Sequence, residues 1–178
     1  MKKRISTLVL GVLLCCCSSS STGENSSGTP LPTTPTVPLT DNELLNRVQS
    51  DSFKYFWDLA HPVSKLARER YHIDEPFVDE NLVATGGSGF GLMTILVGIE
   101  RGFVSRSEAV TRLNTALTFL ENADRFHGAW PHWMNGTNGD VVPFGTMDNG
   151  GDIVETAFLC QGLICLREYF KNGAPEEQ

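Results

Sequence analysis

Three carboxylates stand close together in the sequence around residue 150, a grouping that suggests acid–base chemistry. Asp148 precedes the turn Asn149-Gly150-Gly151, and Asp152 and Glu155 follow it. Apolar residues at helical spacing over residues 157–164 predict a helix that opens at Asp152, which places Asp152 and Glu155 one turn apart on one face. Asp148 is free to fold back across the glycines. Carboxylates that share a small site push each other's proton affinities apart, as an acid–base pair requires.

The same pattern has a purely structural interpretation. Asp-x-x-Glu at the start of a helix matches a capping box, and the unpaired N–H groups of a first turn favour acids there. Caps are much commoner than active sites. Capping accounts for Asp152 and Glu155, but it leaves Asp148 unexplained, so both interpretations stay open at this point.

A second candidate site is the aromatic segment over residues 126–133. Its glycine and proline argue against a helix. Trp130, His132 and Trp133 are suited to stacking on sugar faces and to hydrogen bonding with hydroxyls. Core packing of both tryptophans is an equally good interpretation. His127 and His132 lack an obvious third ligand, so we predict no metal.

The glycine-rich run from Gly86 to Gly91 precedes an apolar segment that predicts a helix from Leu92 to Arg101. Such a run can cradle phosphate on its N–H groups. However, no strand is predicted before it, and no Lys-Ser or Lys-Thr follows it. We therefore interpret it as a tight packing turn and predict no organic cofactor.

Helices and loops account for the rest of the globular part. Capping boxes at Thr40–Glu43 and Ser105–Glu108 predict two helix starts, and Pro62 predicts the end of the first helix. A further helix is predicted from Asp152 to Phe170, and residues 63–85 are predicted to form a long loop. Because no alternating pattern of convincing length appears, we predict helical hairpins and no strands.

The N-terminus has the pattern of an export signal. Basic residues 2–4 precede an apolar run over residues 5–14, which is too short for a permanent membrane anchor. The cysteines that follow resemble the lipobox of bacterial lipoproteins, with Cys17 or Cys16 as the lipidated residue. We therefore predict a lipoprotein signal peptide over residues 1–17.

The composition then changes twice. Residues 18–40 consist largely of Ser, Thr, Pro and Gly and are predicted to be a disordered linker, because they cannot bury a core. Residues 41–178 are predicted to be the globular domain. Within it, Cys160 and Cys165 would lie on different faces of one helix, so we predict buried free thiols and no disulfide.

The net charge of the chain limits which classes of molecule the domain can bind. The formal charge of −7 becomes −10 once the three cationic residues of the signal are lost. Nucleic acid and anionic lipid surfaces need clustered Lys and Arg, so neither is expected as a partner of the domain. Neutral glycans meet no such objection.

Four segments together resemble one family, the glycoamylase-like glycoside hydrolases of the bacterial envelope, which include endo-β-1,2-glucanases. The four segments are Phe53–Trp57, Val83–Gly91, Gly128–Trp133 and Asp148–Phe158. The resemblance implies an all-α (α/α)6 toroid, of which this chain holds only the N-terminal part. It also implies that Asp148, Asp152 and Glu155 match catalytic or substrate-contacting acids, and it adds Phe90 to the candidate substrate-binding residues, which are Trp130, His132 and Trp133.

The hypothesis from the sequence is a lipid-anchored glycoside hydrolase of the bacterial cell envelope that acts on β-glucan, with β-1,2-linked glucan as one candidate and the linkage left open. A helix N-terminus favours an ionised Asp152, as water-activating base or as stabiliser of the transition state. Glu155 or an acid in the missing half would donate the proton. The alternative is a glycan-binding surface lipoprotein without catalysis. Pro175–Glu177 has the pattern of a helix start, which suggests a fragment of a longer enzyme that is inactive by itself, although a frayed acidic tail explains these residues equally well.

Overall fold

Four α-helices and a small antiparallel sheet make up residues 38–177, the part of the chain that the computed structural model describes. The helices are α1 (Asp41–Trp57), α2 (Thr85–Glu100), α3 (Arg106–Asn122) and α4 (Ile153–Phe170). The strands are β1 (Leu82–Ala84), β2 (Trp133–Asn135) and β3 (Val141–Val142), and a 3-10 turn covers Pro175–Glu177. The predicted signal peptide, the lipidation residues Cys16 and Cys17 and most of the linker lie outside the described residues.

The helix starts follow from local capping, as the sequence predicted. The side chains of Thr40 and Ser105 each accept a hydrogen bond from the N–H three residues later and form complete capping boxes with Glu43 and Glu108. Asp152 is the N-cap of α4. The start of each of these helices is therefore encoded within four residues of sequence.

The start of α2 corrects the prediction for the glycine run. The helix begins at Thr85, so Gly86 to Gly91 lie inside it and form neither a turn nor a loop that could cradle phosphate. The reason is the close crossing of α2 and α4. A Cβ atom built on Gly89 would overlap the carbonyl oxygen of Phe158, and one built on Gly162 would overlap the carbonyl of Gly89. The cost of glycine in a helix, about 0.5–1 kcal/mol relative to alanine, is offset by this backbone contact.

The prediction that no strands form is also wrong. β2 lies between β1 and β3, and both neighbours are antiparallel to it. In the register, Val83 pairs with Met134, and both side chains are fully buried. Strands of two or three residues are too short to display the alternation by which sequence patterns reveal a strand.

The core lies where α2 and α4 cross and where α3 and the sheet pack against them. Its buried residues include Leu92, Ile95, Leu113, Leu120, Leu159 and Phe170. Apolar side chains also reach solvent. A groove of about 320 Å³ between α3 and α4 is lined by residues such as Val110, Leu117 and Leu163.

Two further predictions concern the cysteines of α4, namely that they form no disulfide and that they are buried. Cys160 and Cys165 are free thiols, as predicted, but both are half-buried where full burial was expected.

Within residues 38–177, no helix combines the length and the hydrophobicity that crossing a membrane requires.

Candidate active site

Asp152 is held in place from both sides by backbone groups. Its Oδ1 accepts hydrogen bonds from the N–H groups of Val154 (2.8 Å) and Glu155 (3.0 Å), which caps α4. Its own N–H donates to the carbonyl of Trp130 at 2.8 Å. Asp152 therefore links the start of α4 to the aromatic loop, which is the aromatic segment over residues 126–133, and its carboxylate has a defined position between them.

The second oxygen of Asp152 pairs with a histidine. Oδ2 lies 3.0 Å from Nδ1 of His132. The loop that carries His132 is tied to α2, because Thr85 donates its N–H to the His132 carbonyl (3.1 Å) and its Oγ1 to the Pro131 carbonyl (2.5 Å). The imidazole ring stacks on Phe144, with 4.0 Å between ring centres and 24° between planes. His132 is thus fixed by contacts on three sides.

These contacts decide the charge of Asp152. Burial by itself raises the pKa of its carboxyl group, but hydrogen bonds from the Glu155 N–H, the His132 ring and the Val154 N–H stabilise the anion more strongly. The net result is a pKa below the ordinary value for aspartate. Asp152 is therefore ionised at neutral pH.

Asp148 folds back toward this pair. Residues 145–148 form a tight turn in which the backbone groups of Gly145 and Asp148 bond to each other. One side-chain ligand atom from each of His132, Asp148 and Asp152 lies within 4.8 Å of the others. The structure therefore joins a histidine to two of the three acids singled out in the sequence.

Glu155 lies outside this group of three and has a different partner. Its Oε2 accepts a hydrogen bond of 2.7 Å from the backbone N–H of Gly86, near the start of α2. Asp152 and Glu155 are thus held by the N-termini of two different helices. The site consists of one carboxylate pair beside His132 and a third carboxylate at the N-terminus of α2.

The two tryptophans of the aromatic loop have different surroundings. Trp130 is half-buried, packs against the core and donates its indole N–H to the carbonyl of Leu120 at 3.2 Å. Trp133 lies in β2, and its ring meets the rings of His132 and Phe144 edge-on, at 5.5 and 4.8 Å between centres. Trp133 therefore belongs to the aromatic wall of the site, whereas Trp130 supports the loop from the core side.

Phe90 lies on α2 with about half of its surface exposed, and its ring contacts that of Phe158 at 5.4 Å between centres. Three further residues contribute to the site, and the sequence predicted for none of them a contact with a candidate residue. Phe144 stacks on the histidine, Thr85 ties the loop to α2, and Gly86 binds Glu155. Their sequence signal is weak because each acts through a partner far away in the chain.

A cluster of carboxylates at helix N-termini, beside a wall of aromatic rings, is the kind of site that carbohydrate-active proteins use. No protein-family model matches this sequence. However, individual proteins are similar to it in sequence. The chain is 49% identical, over 80% of its own length and 19% of the relative's, to an exo β-1,2-glucooligosaccharide sophorohydrolase of Parabacteroides distasonis.

Solved structures agree with this relationship. An endo-β-1,2-glucanase from Chitinophaga pinensis, in complex with sophorotriose and glucose, is 56% identical with a TM-score of 0.77, over 79% of this chain and 34% of that protein. A β-1,2-glucanase from Parabacteroides distasonis is 50% identical with a TM-score of 0.72, over 80% of this chain and 20% of that protein. This part of the chain is therefore homologous to the glycoamylase-like glycoside hydrolases, which confirms the resemblance predicted from the four segments. It spans about a fifth to a third of the length of these relatives.

Proposed function

We propose that this chain is the N-terminal part of a glycoside hydrolase domain that cleaves β-1,2-linked glucan. The observation that carries the proposal is the joint position of Asp148, His132 and Asp152, with a third acid, Glu155, one helical turn beyond Asp152. The relatives support the substrate class, because those named above act on β-1,2-glucans or their oligosaccharides.

The local chemistry divides the roles of the acids. Asp152 is anionic and accepts hydrogen bonds from two backbone N–H groups and a histidine, so it suits activation of a water molecule or stabilisation of a cationic transition state. Glu155 uses Oε2 to bind Gly86, so Oε1 is left for proton transfer with the substrate. Asp148 places a second carboxyl group beside Asp152, and the rings of Trp133 and Phe90 offer faces for sugar rings.

The same proposal extends to the fold. We infer that α1 to α4 are two hairpins of an (α/α)6 toroid and that further hairpins complete the substrate cleft. Apolar side chains at the surface of α4 support this, since Ile153 and Val154 are 80% and 58% exposed. Residues 38–177 expressed alone should therefore not turn over substrate.

Location in the cell is a proposal from the sequence. A lipid-anchored protein of the bacterial envelope is expected from the N-terminal signal pattern, with Cys17 or Cys16 carrying the lipid. Mass spectrometry of the mature N-terminus tests this directly. An unmodified N-terminus beyond Ser18 in a soluble fraction would exclude the anchor.

The decisive assay measures release of reducing sugar from β-1,2-glucan by the natural protein at its full cellular length. Asp152→Asn should lose at least about 100-fold in kcat, because the amide still caps α4 but cannot act as a base. Glu108→Gln makes the same carboxylate-to-amide change in the capping box of α3 and should leave kcat unchanged. Oligosaccharide binding without hydrolysis, surviving Asp152→Asn, would instead select the glycan-binding alternative.

A further inference from the structure

Gly86 makes the contact with Glu155 described above, and this contact satisfies a need of α2. The first N–H groups of a helix have no partner within it. The N-cap of α2 is Ala84, whose side chain makes no capping hydrogen bond. The N–H of Thr85 donates instead to the His132 carbonyl, and the N–H of Gly86 donates to Glu155 Oε2 at 2.7 Å. The start of α2 is thus capped by groups that belong to the candidate active site.

Position 86 leaves no space for a side chain. A Cβ atom built there would lie 2.6 Å from Glu155 Oε2, 3.1 Å from its Cδ and 3.2 Å from Cδ2 of Phe158. The carboxylate cannot retreat with its backbone, because α4 is pressed against α2 where Gly89 meets Gly162. Any residue other than glycine at position 86 must therefore move the Glu155 carboxylate away from the N–H that holds it.

We propose that Gly86 is a positioning residue, which sets the location of the Glu155 carboxylate through its N–H group and its missing side chain. The inference rests on the proposed function, in which Glu155 takes part in proton transfer. It also gives a reason for a glycine in the first turn of α2, where alanine would favour the helix.

Two glycines of the run provide a matched test. A Cβ on Gly87 would lie 3.3 Å from Cβ of Ala84 and 3.9 Å from Cβ of Ala67, far from any acid of the site. Gly86→Ala and Gly87→Ala make the same chemical change at adjacent positions of the same helix. In the full-length natural protein, Gly86→Ala should lower kcat for β-1,2-glucan about 100-fold, the order expected for a displacement of about 1 Å, while KM stays within about threefold. Gly87→Ala should keep wild-type kcat, and both variants should melt within a few degrees of each other.

A double-mutant cycle separates positioning from general damage. If Gly86 acts through Glu155, Gly86→Ala combined with Glu155→Gln should be no slower than Glu155→Gln alone. Additive losses, or Gly86→Ala at more than half of the wild-type kcat, would overturn the proposal.

A second readout does not depend on hydrolysis. In the amide NMR spectrum of the same protein, Glu155→Gln replaces the carboxyl acceptor of the Gly86 N–H with an amide, so the Gly86 amide proton resonance should shift while that of Gly87 stays in place. An unchanged chemical shift of the Gly86 amide proton in Glu155→Gln would refute the hydrogen bond between Gly86 and Glu155. If the wild type cleaves no β-glucan but the Gly86 resonance responds, the proposed function fails and the positioning contact stands.

Discussion

Oδ2 of Asp152 and Nδ1 of His132 lie 3.0 Å apart, although the residues are 20 positions apart in the sequence. The other oxygen of the same carboxylate caps α4. One side chain therefore acts at once as a helix cap and as the centre of the acid cluster. The capping and catalytic interpretations of the Asp-x-x-Glu pattern are compatible with each other.

Replacing His132 should shift the pH dependence of hydrolysis. The His132 ring is one of the donors that lower the pKa of Asp152, alongside the N–H groups of Glu155 and Val154. In His132→Ala, the pKa of Asp152 should rise, and the acid limb of the kcat profile should move to higher pH. His127→Asn is the control, because His127 is exposed and asparagine tolerates its positive φ of 51°. An unshifted acid limb would show that His132 does not influence the essential base.

The stability of the fold should depend on the charge of Asp152. Because its folded-state pKa is lowered, Asp152 contributes stability above its unfolded pKa of about 3.9, and the contribution is lost as pH falls through the folded value. Asp152→Asn keeps the cap but removes the charge, so it should cost about 0.3–1 kcal/mol at pH 7. Denaturant unfolding at a series of pH values should show the difference from wild type closing below about pH 4. A difference that is independent of pH would contradict this explanation.

The crossing of α2 and α4 should be sensitive to a single methyl group. A Cβ on Gly89 meets the backbone of Phe158 and Leu159, which cannot rotate away, so Gly89→Ala should destabilise the protein by about 1–3 kcal/mol or more. Gly87→Ala has no backbone in its way and should change stability by less than about 1 kcal/mol. Thermal unfolding compares the two variants. Equal melting temperatures for Gly89→Ala and Gly87→Ala would mean that α2 and α4 can move apart with little loss of stability.

Chelation should leave hydrolysis unchanged. His132, Asp148 and Asp152 are close enough together to suggest a metal site, but Asp152 Oδ1 is bound by two N–H groups and its Oδ2 by the His132 ring. These hydrogen bonds compete with a cation for the same lone pairs. Activity after EDTA treatment and dialysis should equal that of the untreated enzyme. Loss on chelation with recovery on adding a divalent cation would assign the three residues to a metal centre.

Much of the helical framework could be predicted from the sequence. Three of the four helix starts depend on contacts between residues at most four apart: Thr40 with Glu43, Ser105 with Glu108, and Asp152 with Glu155. Such contacts are visible in a linear pattern because both partners lie in the same short window. The three acids and the aromatic segment could be singled out as candidates for the same reason, since each is compact in the chain.

The tertiary structure decided the rest. Whether Gly86 to Gly91 form a loop or a helix depends on α4, which approaches α2 so closely that only glycine fits at Gly89 and Gly162. The short strands exist only because β2 brings its neighbours together. The acids have different partners that are distant in the sequence. Asp152 contacts His132, 20 positions away, and Glu155 accepts a hydrogen bond from Gly86, 69 positions away. The sequence by itself determined which residues could do chemistry. The tertiary structure decided which partner holds each carboxylate, because contacts over such separations form only when the chain has folded.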